Sequence, residues 1–290
     1  MRIDGHQSYW RFKEGAEQQP GQNVHQNPEQ NQHQEKVLQQ DYLPTHIEPN
    51  IIENGFHGVV AQASISASSE NDWLISIKND YSSILAAVGW IDLTAPNALA
   101  QMSKYKGELA GFRWHLDTNS NDQSQSDRLI SGCNKLADFG FSLDLTPTAN
   151  TMDALTALLE TTTEVSCIIN PSRLLKDEPD ISLWQQWFAQ LPARENLYCQ
   201  LNGLAERVPA PDGEDDFLDV ERVGPYLDVL LEKLGSENLI YASGWPYCTL
   251  SATYDEVYDI TLALIDALSP TEQAYVLGDN AARCYSISRA

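Results

Sequence analysis

Ile84–His115 reads ILAAVGWIDLTAPNALAQMSKYKGELAGFRWH, and this stretch decides the fold class. The apolar, β-rich run Ile84–Trp90 predicts a buried strand, and Gly111–His115 predicts a second one. Between them, Ala95–Lys106 carries apolar residues at helical spacing, and Thr94 stands where a side chain can cap the first turn. A strand, a helix and a second strand in this order predict two parallel strands joined by a covering helix.

The same alternation continues along the chain in both directions. It predicts eight strands, at Arg2–His6, Gly58–Ala63, Ile84–Trp90, Gly111–His115, Phe141–Leu145, Val165–Asn170, Leu197–Leu201 and Leu239–Ser243. It predicts helices that include Ala95–Lys106, Ser126–Phe139, Thr151–Thr162, Leu183–Leu191, Val220–Leu234, Tyr254–Leu268 and Pro270–Tyr285. Eight strands suit a closed (β/α)8 TIM barrel of the α/β class, although periodicity alone fits an open doubly wound sheet as well. No GxGxxG motif or P-loop follows a predicted strand, so a nucleotide-phosphate site is unsupported.

Several helix ends carry their own signals. Asn150 precedes a predicted helix as a capping residue, and Ser269 precedes another that has proline at its first position. Gly140 and Gly235 follow the last residues of two further helices, as expected of glycine at a helix C-terminus. These signals predict where four of the helices begin or end.

The length and charge of the chain narrow the class of protein. Its 290 residues suit one α/β barrel, which takes about 250 residues, so we expect a single domain over residues 1–290. The net charge of −23 repels nucleic acid and anionic membranes, and neither is an expected partner. The five scattered cysteines form no CxxC pair, the first residues contain no signal-peptide core, and no apolar run is long enough to span a bilayer. Together these features predict a reduced, cytoplasmic protein.

Residues 13–40 differ in composition from the rest of the chain. Nine of them are glutamine, and only Ala16, Val24, Val37 and Leu38 are apolar. Such a stretch buries too little apolar surface to offset its ordering entropy, so we expect a mobile loop inserted into the barrel.

Eight short stretches, taken together in their order and spacing, characterise the chain. They are Met1–Trp10, Asp41–Pro44, Val59–Ala63, Val88–Leu93, Leu109–Arg113, Leu197–Leu204, Tyr241–Pro246 and Gly278–Arg283. The set resembles the amidohydrolase-related family of the metal-dependent hydrolase superfamily, in the lactonase branch that contains L-fuconolactonase and 2-pyrone-4,6-dicarboxylate lactonase. The resemblance covers the chain from Met1 to about Ile287, except for the glutamine-rich loop. It implies a (β/α)8 barrel with its site at the carboxyl ends of the strands.

The resemblance also implies hydrolytic chemistry. Where members of the family use a divalent metal, two histidines at i and i+2 of the first strand hold it, together with a histidine after the fifth or sixth strand. An aspartate at the end of the eighth strand acts as ligand and general base on the attacking water. Some lactonase members work without a bound metal but resemble the others in keeping the histidine and aspartate residues.

This sequence departs from the family pattern at each of these places. His6 is present, but Ser8 stands where its partner histidine is expected. Asn170 and Pro171 stand where Asp and His are expected, and Gln200 replaces a lysine. Gly244 replaces the aspartate of the eighth strand, and glycine can neither bind a metal nor accept a proton. We therefore expect no metal ligands and no cofactor, although the family often uses zinc.

Four residues are candidates for remaining chemistry. His6 either contacts a ligand or is a hydrogen-bonded relic, and Arg113 either binds a carboxylate or lactone carbonyl or forms an internal salt bridge. His115 lies on the same strand face as Arg113, and Asp144 is either an acid/base or a loop cap. No residue among the four is assigned as catalytic. The ligand-binding candidates are Gln62, Arg113, Asn170, Asn202 and Trp245.

The leading hypothesis is a barrel that is impaired or inactive as a metal-dependent hydrolase, a pseudoenzyme that binds a small sugar acid or lactone. The first alternative is an active lactone or ester hydrolase with a remodelled, metal-independent site, in which His115 or Asp144 is the base and Arg113 polarises the carbonyl. The second is a scaffold protein that uses the glutamine-rich loop for contact. A small carboxylate or lactone is the expected partner, and the resemblance is compatible with a homodimer.

Overall fold

Eight short parallel strands form one sheet in sequence order in the computed structural model, which describes residues 1–13, 36–116, 123–176, 180–204 and 220–288. They are β1 (Ile3–Ser8), β2 (Gly58–Gln62), β3 (Ile84–Gly89), β4 (Gly111–His115), β5 (Ser142–Thr146), β6 (Cys167–Ile169), β7 (Leu197–Gln200) and β8 (Leu239–Ile240). The backbone joins β1 to the segment after β8, because the N–H of Gly5 donates to the Tyr241 carbonyl at 2.8 Å and that of Ser8 to the Trp245 carbonyl at 2.8 Å. These bonds close the sheet, so the predicted (β/α)8 barrel is confirmed and the open sheet is excluded.

Helices follow the strands and cover the barrel. They are α1 (Pro44–Glu53), α2 (Asn71–Asp80), α3 (Ala98–Tyr105), α4 (Gln123–Phe139), α5 (Met152–Thr161), α6 (Ser172–Lys176), α7 (Ile181–Ala189), α8 (Val220–Leu234), α9 (Tyr254–Leu264), α10 (Pro270–Ala274) and α11 (Asn280–Cys284). Sequence periodicity did not predict α1, α2 or the short α6. α1 carries Pro49 in its interior, where proline argues against a helix. In α2 the residues other than Trp73, Leu74, Ile75 and Ile77 are polar, and α6 has only 5 residues, so neither gives a clear helical period.

The predicted helix Pro270–Tyr285 is wrong as a single element. It is divided into α10, a π-helical turn at Tyr275–Asp279 and α11. Gly278 lies in that turn, and a Cβ there would overlap the Met1 carbonyl and stand 2.7 Å from the Ile3 nitrogen. The chain changes direction where its C-terminal segment packs against the start of β1.

The predicted helix ends are partly confirmed. Ser269 caps α10, with its hydroxyl accepting from the Glu272 N–H, and Gly140 and Gly235 follow helices with φ of 77° and 75°. Two predicted caps are wrong: Thr94 bonds Asp92 instead of the helix, and Asn150 lies inside a 3-10 turn that begins after Thr148. A short polar side chain bonds whichever backbone or carboxylate partner lies closest, and spacing alone does not select that partner.

The strand alternation divides the barrel interior into an apolar floor and a polar layer. Side chains at i and i+2 share a face, so Val60, Ile168 and Tyr198 in the floor are followed by Gln62, Asn170 and Gln200 one step nearer the carboxyl ends. The C-terminal residues Ala281, Cys284 and Tyr285 pack against the floor. A separate, larger apolar cluster fills the space between the barrel wall and its helices.

Residues 14–35 of the predicted glutamine-rich loop lie outside the described residues. At the end of that stretch, residues 36–38 are helical and Leu38 is 2% exposed within the main core. The five cysteines are all buried, free thiols. In the described ranges, no helix has both the length and the apolar character needed to cross a membrane.

Candidate functional site in the barrel interior

The polar layer of the barrel is centred on His6, which lies on β1 and is 1% exposed. Its Nδ1 atom lies 3.0 Å from Oε1 of Gln200 on β7 and 3.4 Å from Nδ2 of Asn170, which follows β6. Burial, with a smaller contribution from the nearby positive charge of Arg113, lowers the pKa of His6 to about 3. The imidazole is therefore neutral at physiological pH, and its neighbours are carboxamides.

Asp144 on β5 is the most heavily bonded acid in this layer. Its Oδ2 accepts from the Tyr285 hydroxyl at 2.6 Å, from Nε2 of Gln62 at 2.7 Å and from Nε2 of Gln200 at 3.5 Å. Burial raises its pKa to about 6, although the bonds from Tyr285 and Gln62 oppose the shift. Asp144 therefore does not cap a loop, as one alternative predicted, but joins two strands to the C-terminal segment.

A second buried acid, Asp4, lies on the same strand as His6. Its Oδ1 accepts from the backbone N–H groups of Ser243 at 2.9 Å and His6 at 3.2 Å, and its Oδ2 accepts from Nε2 of Gln7 at 2.7 Å. Burial raises the pKa of the carboxyl, and these hydrogen bonds oppose that rise. Asp4 thus ties β1 to the chain after β8 beside the candidate site.

Arg113 and His115 bring basic groups to the same end of the barrel. Arg113 donates from Nη1 to the Ala63 carbonyl at 3.0 Å, while its Nε atom and Nδ1 of His115 are buried and have no hydrogen-bond partner in the part of the chain that the structure describes. The pKa of His115 lies well below its ordinary value because of burial and the charges of Arg113 and Arg173. Within the described ranges Arg113 forms no salt bridge, so the predicted internal ion pair is not seen there.

Gly244 and Asn202 lie against each other beyond the ends of β8 and β7. Gly244 has a φ of 68°, in the left-handed region, and a Cβ at this position would overlap Oδ1 of Asn202 and stand 3.0 Å from its Cγ. Asn202 is 5% exposed. Its carboxamide therefore fills the space into which a side chain at position 244 would project.

These residues do not fit a divalent metal. Across the ranges that the structure describes, no three His, Cys, Asp or Glu side chains lie close enough to hold one. The hydroxyl of Ser8 is buried and bonds none of the described residues, and Asn202 fills the space beside Gly244. Zinc prefers imidazole, thiolate and carboxylate ligands, whereas the groups around His6 are amides.

Trp245 was expected to line the ligand site. Its ring packs against Tyr9 and Tyr42, with centroids 5.6 Å and 5.3 Å apart, and it is 5% exposed. It also lines a surface groove of about 510 Å³ together with His46, Asn50, Tyr254 and Glu256. Its indole makes no hydrogen bond to a described residue, so the structure brings together His6, Gln62, Asp144 and Asn170 but does not join Trp245 to that polar network.

The chain matches a family of known proteins. The amidohydrolase family model matches residues 3–287, which is nearly the whole chain. This chain belongs to the amidohydrolase family. The L-fucono-1,5-lactonase of Burkholderia multivorans is 26% identical over an alignment of 297 positions, gaps included, which covers 99% of this chain and 96% of that relative.

Solved structures show the same fold for this amidohydrolase-family chain. An amidohydrolase from Burkholderia multivorans, crystallised with zinc bound, superposes with a TM-score of 0.85 at 24% identity and covers 99% of this chain and 100% of that one. A probable 2-pyrone-4,6-dicarboxylic acid hydrolase from Acinetobacter baumannii, with citric acid bound, gives a TM-score of 0.73 at 14% identity, covering 98% and 99% of the two chains. The predicted resemblance to the lactonase branch is confirmed.

Three residues that organise this amidohydrolase-family site, Gln200, Tyr285 and Asp4, were not among the predicted site residues. Gln200 was noted only as a replaced lysine, yet it bonds His6 and approaches Asp144. Its position in the apolar run Leu197–Leu201 was a usable signal, because a polar residue in such a strand points into the barrel. Asp4 gave the same signal, because it is a polar residue in the predicted strand Arg2–His6 and bonds His6 and Gln7 within that part of the chain. Tyr285 gave no such signal, since it lies outside the predicted strands and its partners Asp144 and Gln200 are distant in the chain.

Proposed function

We propose that this amidohydrolase-family barrel is impaired as a metal-dependent hydrolase and binds a small sugar acid or lactone at the carboxyl ends of its strands. The observation that carries the proposal is the pair Asn202 and Gly244. The eighth strand offers no carboxylate to activate water, and an amide occupies the space that one would need. An amide is neither a general base nor a strong zinc ligand.

The ligand class rests on the basic end of the site. Arg113 and His115 each keep a buried nitrogen atom with no hydrogen-bond partner among the described residues. Nε of Arg113 is a donor, and a buried donor without a partner favours an oxygen-rich ligand. A guanidinium suits a carboxylate or a lactone carbonyl. The Burkholderia multivorans relative is named as a sugar lactonase, which supports a sugar-derived acid or lactone as the ligand.

The test combines metal content with hydrolysis. After dialysis against zinc and manganese, elemental mass spectrometry should find close to no metal bound per chain, and aldonolactones should hydrolyse at the uncatalysed rate. Arg113→Met should weaken the binding of aldonic acids measured by calorimetry, while Arg194→Met, a change remote from the polar layer, should leave it unchanged. One metal per chain together with lactone turnover well above background would overturn the proposal.

The second candidate is an active lactone hydrolase with a metal-independent site. The pKa of about 6 at Asp144 favours it, because acid/base catalysis is efficient when the pKa lies near the working pH. In this case Asp144 or His115 accepts the proton and Arg113 polarises the carbonyl. Arg113→Ala should then abolish lactone turnover, as should His115→Ala if His115 is the base or Asp144→Asn if Asp144 is. Wild-type rates in all three variants would rule the candidate out.

A further inference from the structure

The orientation of the Gln200 carboxamide is set by three oxygen atoms. Its Nε2 faces the Gly5 carbonyl at 3.4 Å, the Tyr285 hydroxyl at 3.2 Å and Oδ2 of Asp144 at 3.5 Å. The Tyr285 hydroxyl donates its hydrogen bond to Oδ2 of Asp144 at 2.6 Å, so the hydroxyl oxygen can accept a hydrogen bond from Gln200. Exchanging the oxygen and nitrogen of the amide would place Oε1 against a carbonyl and a carboxyl group, where like partial charges repel. Oε1 of Gln200 therefore faces His6.

This orientation decides where His6 carries its proton. Oε1 of Gln200 can only accept a hydrogen bond, and it lies 3.0 Å from Nδ1 of His6, so Nδ1 must be the protonated nitrogen. Asn170 also points a donor at Nδ1, but from 3.4 Å, and its own Oδ1 accepts from the Ser172 N–H at 3.0 Å. An unprotonated Nδ1 would bond Asn170 weakly and leave two buried acceptors facing each other at 3.0 Å.

The second ring nitrogen of His6 then carries the free lone pair. Nε2 makes no hydrogen bond with any residue that the structure describes. We infer that Gln200, held by Tyr285 and Asp144, fixes His6 as the Nδ1–H tautomer, and that Nε2 accepts a hydrogen bond from a hydroxyl group of the ligand. The second of these two claims, the contact between Nε2 and the ligand, is called the ligand half of the inference and rests on the proposed function. It narrows the ligand to a hydroxylated acid or lactone, with Gln200 and Tyr285 as positioning residues.

The tautomer can be measured without a ligand. Long-range proton–nitrogen correlation spectra of the ¹⁵N-labelled full-length protein distinguish protonated from unprotonated imidazole nitrogens, and His6→Asn assigns the signals by their loss. We expect Nδ1 of His6 to be protonated and Nε2 to be unprotonated at neutral pH. The reverse assignment in the wild-type protein would overturn the inference without any need for a further variant.

A pair of matched variants tests the role of Gln200. Gln200→Met keeps the length of the side chain but removes the acceptor, so Nδ1 should lose its proton and accept from Asn170, with the proton moving to Nε2. Gln62→Met removes another carboxamide that bonds Asp144 at 2.7 Å and Tyr285 at 3.3 Å but forms no hydrogen bond with His6. Gln62→Met should leave the tautomer of His6 unchanged. If the His6 nitrogen signals changed equally in both variants, Gln200 would act on His6 only through packing and not through its hydrogen bond.

The ligand half is tested with two six-carbon acids, D-gluconate and hexanoate. Gluconate should move the Nε2 signal of His6, and Gln200→Met should weaken its binding about three- to tenfold, the value of one hydrogen bond. Hexanoate, which has no hydroxyl group, should leave Nε2 unmoved. Gluconate binding that leaves Nε2 unmoved would overturn the hydroxyl contact alone. Failure of both acids to bind would count against the proposed function. The tautomer of His6 would still be decided by the spectra recorded without a ligand.

Discussion

At the scale of single residues, Asp144 makes the stability of the barrel depend on pH. Burial raises its pKa from 3.8 to about 6 in the folded protein. The folded state therefore keeps this proton over a range in which the unfolded state has lost it. This bound proton adds at most about 3 kcal/mol to the free energy of unfolding. That contribution is fully present below about pH 4 and is lost as the pH rises through 6.

Asp144→Asn should remove this dependence, because an amide can accept the bonds from Tyr285 and Gln62 without ionising. Urea unfolding between pH 4 and pH 7 should show wild-type stability falling, relative to the variant, as the pH rises. Asp138→Asn, on an exposed acid, is the control and should follow the wild type. Parallel curves for wild type and Asp144→Asn would mean that Asp144 titrates alike in both states.

Any side chain at position 244 would lower the free energy of unfolding in two separable ways. Its left-handed φ strains every non-glycine residue, and Asn202 occupies the space for a Cβ. Gly107 is a matched control, since its φ is 81° and a Cβ there would meet nothing within 4 Å. We expect Gly107→Ala to lower the free energy of unfolding by about 1 kcal/mol and Gly244→Ala by about 3 kcal/mol.

Chemical denaturation of the two alanine variants measures that difference. Adding Asn202→Ser to Gly244→Ala should recover the overlap cost of roughly 2 kcal/mol but not the backbone strain. Additive effects of the two substitutions would show that the residues do not compete for the same space. The sequence alone predicted the loss of the carboxylate at position 244, but not that Asn202 fills its place, because the two residues lie on different strand ends.

At the scale of elements, alternation in the sequence was sufficient to predict all eight strands and their parallel order. It failed where local signals argue against the element or where a distant contact decides: Pro49 lies inside α1, α2 is mostly polar, and the turn at Gly278 packs against the start of β1. The site follows the same division. Strand ends such as Gln62 and Asn170 were predictable, whereas the bond from Tyr285 to Asp144 joins residues 141 positions apart.

The cap of α9 gives a prediction at this scale. The Thr253 hydroxyl accepts from the Glu256 N–H at 3.2 Å, and the Glu256 carboxylate accepts from the Thr253 N–H at 2.7 Å. Thr253→Ala should cost about 1 kcal/mol of unfolding free energy, and Thr253→Ser should cost little. Asn97, which precedes α3, caps nothing with its side chain, so Asn97→Ala should change stability by a few tenths of a kcal/mol at most. Equal losses at both positions, in thermal or urea unfolding, would contradict the capping argument.

At the scale of the whole molecule, 41 acidic residues against 18 basic ones give a net charge of −23. Like charges over the whole surface repel one another, and this repulsion weakens the compact state relative to the extended one. Salt shortens the distance over which the charges interact to about 8 Å at physiological ionic strength. Sodium chloride should therefore raise the Tm at pH 8, where the charge is largest.

Calorimetric scans with and without about 0.15 M sodium chloride at two pH values separate this effect from a general action of salt. The isoelectric point is about 4.4, so at pH 5 the net charge is small and the rise in Tm should shrink or vanish. The exposed pair Lys104–Asp72 works in the opposite direction, because screening weakens it, but an isolated surface pair of this kind contributes little to stability. A rise in Tm of the same size at both pH values would show that salt acts through hydration and not through the net charge.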